Sequence, residues 1–282
     1  MKRIPSTLLA AGAALLLLHS SAGAADTEPK PGHVAGKVTD SAGKPVSDAQ
    51  VSISGTTNAG QRADFKTQTD ARGDYSQRVP DGLYRVRAWV GREYHARKYQ
   101  LTLHPRDGDF KRTHDSKPGA VKDFVWKIQG LMAYEGQDEE EGGSYYGGHV
   151  GFQGGDPTNS NTPPLEFPDG TTLEITLTPD GPLLDGSAGK PVVFKGRYTQ
   201  PRLNFVPYRK REIVNIPTGR YLVTARLVDA QGASSGLRVA TKASGEPVIP
   251  LALTAMLEFL PYKTSSPGIL SGVTGSSLYL QR

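Results

Sequence analysis

Six histidines, no cysteine and a broad scatter of carboxylates limit the chemistry open to this chain. Without cysteine there is no disulfide, thiolate metal site, cysteine nucleophile or lipid-modified cysteine. A minimal zinc-hydrolase signature needs His-x-x-Glu and a distant third ligand. None of His33, His95, His104, His114 and His149 has Glu three positions on, so these read as scattered surface histidines. Gly232-Ala-Ser-Ser-Gly236 has the form of a nucleophile elbow, but no histidine follows it and the next residues, "LRVAT", read as a strand. The spacing predicts a hairpin turn there. The Gly-Lys pair of "SAGKPV" lacks the spaced upstream glycine of a phosphate loop. Glu135, Asp138, Glu139, Glu140 and Glu141 form a contiguous block, whereas calcium loops space their oxygens around a glycine turn. Arg72-Gly73-Asp74 sits in a turn where Gly73 has a structural task. No catalytic residue, metal or cofactor is expected.

Two stretches have the chemistry of binding surfaces. Arg85, Arg87 and Trp89 alternate with apolar residues and share the strand face opposite the core. An indole beside two cations can stack a sugar ring or hold an anionic polymer; the competing reading packs this face on another strand layer or on the second domain. The other is "KGRYTQPRLNFVPYRKR", residues 195 to 211, in which Arg202, Arg209, Lys210 and Arg211 interleave with Tyr198, Phe205 and Tyr208. Nucleic acid would suit this patch chemically, but an exported chain meets acidic glycans and envelope polymers instead. A solvated basic loop is the plain alternative.

The elements that must position these side chains read as strands. Apolar spacing is two: Val34 and Val38; Ala49, Val51 and Ile53; Tyr84, Val86, Ala88 and Val90; Phe124, Trp126 and Ile128. Turn chemistry separates them at "DSAGKP", Asp70 to Gly73 and Pro80-Asp81-Gly82. With 33 Gly and 21 Pro, the composition is turn-rich and globular. No segment carries a long helical stripe.

The ordered set Val34-x-Gly36-x-Val38, Asp40, Gly43-Lys44-Pro45-Val46, Ala49-x-Val51-x-Ile53, Thr69-Asp70-x-x-Gly73-x-Tyr75 and Pro80-x-Gly82-x-Tyr84-x-Val86 resembles the carboxypeptidase regulatory-like domain. The resemblance covers about residues 33 to 129. It implies a transthyretin-like, carbohydrate-binding-like β-sandwich that is accessory or structural and brings no active site with it. The second half echoes these landmarks: "SAGKPV" recurs at residues 187 to 192, and Pro217-x-Gly219-x-Tyr221-x-Val223-x-Ala225 repeats the later one. A second, diverged sandwich is expected over about residues 165 to 262, with Tyr84 and Tyr221 both inward; turn and strand rules alone could also produce such echoes.

The expected organisation is therefore all-β, with two tandem sandwiches following a signal peptide. Lys2 and Arg3, the apolar run Leu8 to Leu18 and Ala22-Gly23-Ala24 form the signal pattern of residues 1 to 24, and residues 25 to 32 form a leader. Removing the signal takes away two positive charges and no acids, so the formal balance falls from +5 to +3. Residues 130 to 164 read as a Gly-, acid- and Pro-rich linker, and residues 263 to 282 as a tail whose "SLYLQ" pairs as an edge strand. The expected protein is periplasmic or secreted, non-enzymatic and without a membrane span after cleavage. Its expected partner is an acidic glycan or envelope polymer, or alternatively a protein docked at a sheet edge; no nucleic acid is expected.

Overall fold

The computed structural model describes residues 30–131, 145–159, 161–207, 210–243, 247–261 and 276–282. The signal-peptide pattern and the acidic run from Glu135 to Glu141 lie outside these residues. The chain is all-β, and its strands build two sandwiches.

In the first sandwich, one sheet has the order β4-β1-β10-β7, with β9 extending along β1. These strands are β1 (His33–Asp40), β4 (Asp74–Arg78), β7 (His104–Pro105), β9 (Ala120–Val121) and β10 (Phe124–Trp126). The facing sheet has the order β3-β2-β5-β6, with β8 beside the start of β5. Its members are β2 (Gln50–Thr57), β3 (Arg62–Gln68), β5 (Gly82–Tyr94), β6 (Arg97–Thr102) and β8 (His114–Asp115). Period-two alternation places Val51, Ile53, Tyr84, Val86, Ala88 and Val90 inward, against Val34, Val38, Phe124 and Trp126. Gly36 in β1 is required by close approach: a Cβ there would lie 2.0 Å from the Lys122 carbonyl oxygen.

The second sandwich repeats this wiring. Its strands are β11 (Gly148–Gly154), β12 (Thr172–Pro179), β13 (Val192–Arg197), β14 (Glu212–Ile216), β15 (Gly219–Val228), β16 (Ser234–Ala243), β17 (Ile249–Ala252), β18 (Ala255–Phe259) and β19 (Ser276–Gln281). Like β1, β11 pairs antiparallel with one strand (β14) and parallel with another (β19). Like β2, β12 lies between two antiparallel partners, here β13 and β15. The first half of β15 pairs with β18 and the second with β16, as β5 does with β8 and β6. The strand β16 changes sheets midway: residues 234–237 pair with β15, and residues 238–243 with β19. In the first sandwich β6 and β7, separated by Leu103 alone, do the same work.

Tyr84 and Tyr221 are both fully buried, and each phenol donates to a proline carbonyl four residues earlier, Pro80 at 3.0 Å and Pro217 at 2.7 Å. The Pro-x-Gly-x-Tyr landmark is therefore equivalent in the two halves. The second "SAGKPV" is not. The first copy joins β1 to β2, whereas the second joins β12 to β13 and so matches the β2–β3 connection. A small-residue turn flanked by strands is satisfied at either place, which is why the identical letters misled.

The second sandwich also begins earlier and ends later than its sequence suggests. β11 lies in the stretch read as a linker, because Val150 and Phe152 share their period-two face with Gly148 and Gly154, which hide the pattern. β19 is not an edge strand: it fits between β11 and β16 and buries Leu278 and Leu280.

One turn design recurs. Asp40, Asp70 and Asp229 each accept backbone N–H bonds through Oδ1 from the residues two and four positions on. Each has glycine at the third position with positive φ: Gly43, Gly73 and Gly232. The Gly232-to-Gly236 stretch is thus the β15–β16 hairpin, and the Arg72-Gly73-Asp74 tripeptide is the tip of the Asp70 turn.

The buried apolar residues of the two sandwiches form one contiguous cluster. Polar contacts reinforce the joint. The β5–β6 hairpin, turned by His95 and Ala96 at φ 47° and 59°, reaches across so that the Tyr94 phenol donates to the Pro182 carbonyl (3.1 Å) and accepts from the Arg220 N–H (3.0 Å). The Arg220 guanidinium binds Asp180 at 2.7 Å, with Glu258 at 3.5 Å and His95 at 3.2 Å. The Thr218 N–H donates to the Ile128 carbonyl, and the Gly130 N–H to the Asn215 side chain.

His104 lines the same joint with Trp126, Ile128, Tyr146, Leu184 and Thr218. It is buried, contrary to the surface position its sequence context suggested, and packs against Tyr146 at 4.0 Å and Phe110 at 5.9 Å. Its Nδ1 has no hydrogen-bond partner. Burial and the nearby Lys127 charge lower its pKa to about 4.

Candidate functional site

The sheet β3-β2-β5-β6 turns one face inward and leaves the other open. Register fixes what the open face presents. Trp89 lies opposite Gln50, which faces Gln68; Arg87 opposite Ser52, which faces Lys66; Arg85 opposite Ser54, which faces Asp64. Arg85 is exposed, while Arg87 and Trp89 are half-buried. This face is therefore available to solvent rather than covered by the second sandwich. The two guanidinium groups emerge two residues apart on one strand, about 7 Å along it.

Electrostatically the face is unbalanced. Among the described residues neither the Arg85 nor the Arg87 guanidinium has a hydrogen bond or ion-pair partner. Asp64, in the row of Arg85, stands two strands away and is engaged by Arg62 at 3.2 Å. Between them Ser52, Ser54 and Gln50 supply neutral donors and acceptors. Trp89 makes no aromatic or cation–π contact among the described residues, so its ring has no π partner within the fold.

On the corresponding face of the second sandwich the cations Lys195 and Arg226 are paired. Aligning Tyr221 with Tyr84 puts Leu222, Thr224 and Arg226 where Arg85, Arg87 and Trp89 stand. Arg226 is bound by Glu174 at 2.5 Å, and the same carboxylate takes Lys195 at 2.7 Å. Hydrogen bonds from Lys195 and Arg226 hold the Glu174 carboxyl below its ordinary pKa.

The basic and aromatic stretch from Lys195 to Arg211 does not form the expected exposed patch. Tyr198 is buried, and its phenol donates to the Lys210 carbonyl at 2.7 Å. Desolvation pushes its pKa up to about 12. A ring packed against Phe167 at 5.8 Å offers no open face for stacking. Arg202 is exposed but paired with Glu166 at 2.6 Å. Lys210 is exposed, whereas Arg211 is partly buried with an unpartnered Nε. Tyr208 and Arg209 lie outside the described residues. The aromatic presented here is Phe205, which is 65% exposed beneath the Arg202 guanidinium. Counting aromatics and cations along the chain could not separate the buried ring of Tyr198 from the exposed ring of Phe205 at the end of a 3₁₀ turn (Leu203–Phe205).

One family model and several solved structures are similar to this chain. The model of the carboxypeptidase regulatory-like domain matches residues 33–110, within the first sandwich. No curated protein matches the chain. Among solved structures, the TIE protein of Bacillus anthracis overlays with a TM-score of 0.33 at 10% identity, covering 87% of this chain. This chain spans 47% of that structure's length. The major pilin of Streptococcus pyogenes overlays at 0.24 with 8% identity, over 88% of this chain and 96% of the pilin. The C-terminal fragment of the pilus adhesin SpaC from Lactobacillus rhamnosus GG overlays at 0.27 with 8% identity, over 89% and 97% respectively.

Among the described residues no group of three His, Asp or Glu side chains could hold a metal ion, and no helix is long and apolar enough to cross a membrane.

Proposed function

We propose that this is an exported, non-catalytic binding protein that takes an acidic glycan of the cell envelope on the open face of β3-β2-β5-β6. One observation carries the reading: Arg85 and Arg87 stand without carboxylate partners beside Trp89, while Lys195 and Arg226 on the equivalent face of the second sandwich are paired with Glu174. Unpaired guanidinium groups on a polar face attract carboxylates or sulfates, and an indole packs the apolar face of a pyranose. Export rests on the basic, apolar and small-residue order of residues 1 to 24, and N-terminal sequencing of the secreted protein tests it. Docking of a protein at a sheet edge is the weaker reading. The outward residues of the open edges β3 and β13 include Arg62, Asp64, Lys66, Lys195 and Arg197, the charged kind that discourages strand addition.

Titration with polygalacturonate at low and high salt tests the binding face. Replacing Arg85 and Arg87 together by Gln should weaken binding about tenfold at low salt and much less at high salt, where screening already suppresses the attraction. Trp89→Ala should weaken it at both. Equal affinities for all three proteins would remove the face from consideration.

A further inference from the structure

The second sandwich carries a groove of about 560 Å³ on its own outer face, and its chemistry differs from that of Arg85 and Arg87. Its floor is made by Thr176 of β12 with Thr224 and Arg226 of β15, Thr176 and Thr224 being direct cross-strand partners. Ser234 and Gly236 of β16, with Leu253 and Thr254 in the short connection between β17 and β18, line it along the edge of β15 away from β12. The charged lining groups are Arg226 and Glu174, which bind each other, with Lys195 beside the groove on the same carboxylate, so no lining charge stands unpaired.

Two further properties narrow what fits. The hydroxyls of Thr176, Thr224, Ser234 and Thr254 have no protein hydrogen-bond partner among the described residues, so four groups that can both donate and accept converge on one groove. Leu253 is 71% exposed above them, an isolated apolar platform beside a polar floor. A charged ligand would find no unpaired opposite charge in the lining. A purely apolar ligand would leave the hydroxyls without water or partner.

We propose that this groove binds an uncharged, polyhydroxylated ligand, a neutral saccharide. Its ring hydroxyls would exchange hydrogen bonds with the four side-chain hydroxyls, and its C–H face would cover Leu253. The site is separate from the acidic-glycan face and stands or falls independently of it.

The test is NMR of the isotopically labelled full chain with maltohexaose, cellohexaose, xylohexaose and N-acetylchitohexaose, at low and high salt. At least one should produce saturable shifts at the amides of Thr176, Thr224, Gly236 and Thr254, with an affinity that salt leaves within about twofold. The double variant Thr176→Val/Thr224→Val should weaken that binding at least about fivefold, and Leu253→Ser should weaken it while sparing the floor hydroxyls. Urea midpoints confirm that each variant is folded; should the double variant be unfolded, Leu253→Ser carries the test. No shifts at these amides with any of the four sugars would overturn the proposal. So would binding that both variants leave unchanged, or that salt abolishes. The Arg85→Gln/Arg87→Gln protein should bind the neutral sugar normally, which separates failure at this groove from failure at the acidic-glycan face.

Discussion

His104 ties the stability of the joint between the sandwiches to pH. It is 5% exposed, its Nδ1 is unpartnered, and its pKa in the fold is about 4 against 6.5 in an unfolded chain. The folded-state value is depressed, so the unfolded chain takes up a proton between pH 6.5 and 4 that the folded protein refuses. The associated stability is complete above pH 6.5 and declines as pH falls towards 4, with a slope of at most about 1.4 kcal/mol per pH unit. Between pH 7.5 and 4.5 the loss should reach about 2.5 kcal/mol. Urea unfolding of the wild type and of His104→Leu across that range is the assay. Carboxylates titrate in both proteins, so the stability difference between them isolates His104. That difference should move by about 2.5 kcal/mol in favour of the variant as pH falls. A difference that stays constant from pH 7.5 to 4.5 would show that His104 is protonated as easily in the fold as outside it, and the reasoning would fail. His114, whose pKa is also lowered by burial, falls out of the comparison because both proteins keep it.

Tyr94→Phe leaves the Pro182 carbonyl and the Arg220 N–H without their phenol partner at the joint, and should cost about 1–3 kcal/mol in chemical unfolding; no measurable change would mean that water replaces the hydroxyl freely. Gly73→Ala should be the worse of two turn substitutions. Gly43 and Gly73 both have positive φ, but a Cβ at Gly73 would lie 2.4 Å from the Val38 carbonyl oxygen, whereas Gly43 has nothing within 4 Å. Gly43→Ala should cost about 1 kcal/mol from backbone strain alone, and Gly73→Ala distinctly more, by the same assay.

Alternation made most of the fold legible. Wherever every second residue is apolar, as from Tyr84 to Val90 or from Tyr221 to Leu227, the buried face follows directly from the letters. The pattern failed where glycine replaced half of it, at β11, and where a short strand stood alone, at β19, whose central position depends on partners far away in sequence. Of the candidate residues, the common face of Arg85, Arg87 and Trp89 was readable because one strand sets it. Those between Lys195 and Arg211 were not, because an irregular segment has no period to say which ring turns inward, and Tyr198 meets Phe167 and the Lys210 carbonyl only once the chain is folded. The pairing of Lys195 and Arg226 with Glu174 was likewise invisible, since three separate strands must first lie side by side.

The place of β19 bears on how the chain acquires its fold. Its pairing of Val150 with Ser276 encloses nearly the whole second sandwich, as that of Val38 with Phe124 encloses nearly the whole first, and the second enclosed loop is the longer. Each module must therefore wait for its most distant contact, the second across the longer loop, the circumstance that slows folding. Until then β11 and the latter half of β16 present two facing rows of unpaired backbone groups with a gap one strand wide. A strand of identical sequence from a neighbouring molecule fits that gap as well as the chain's own. Exchange of β19 between molecules at high concentration is the association this arrangement favours, and it would produce dimers built from native contacts alone.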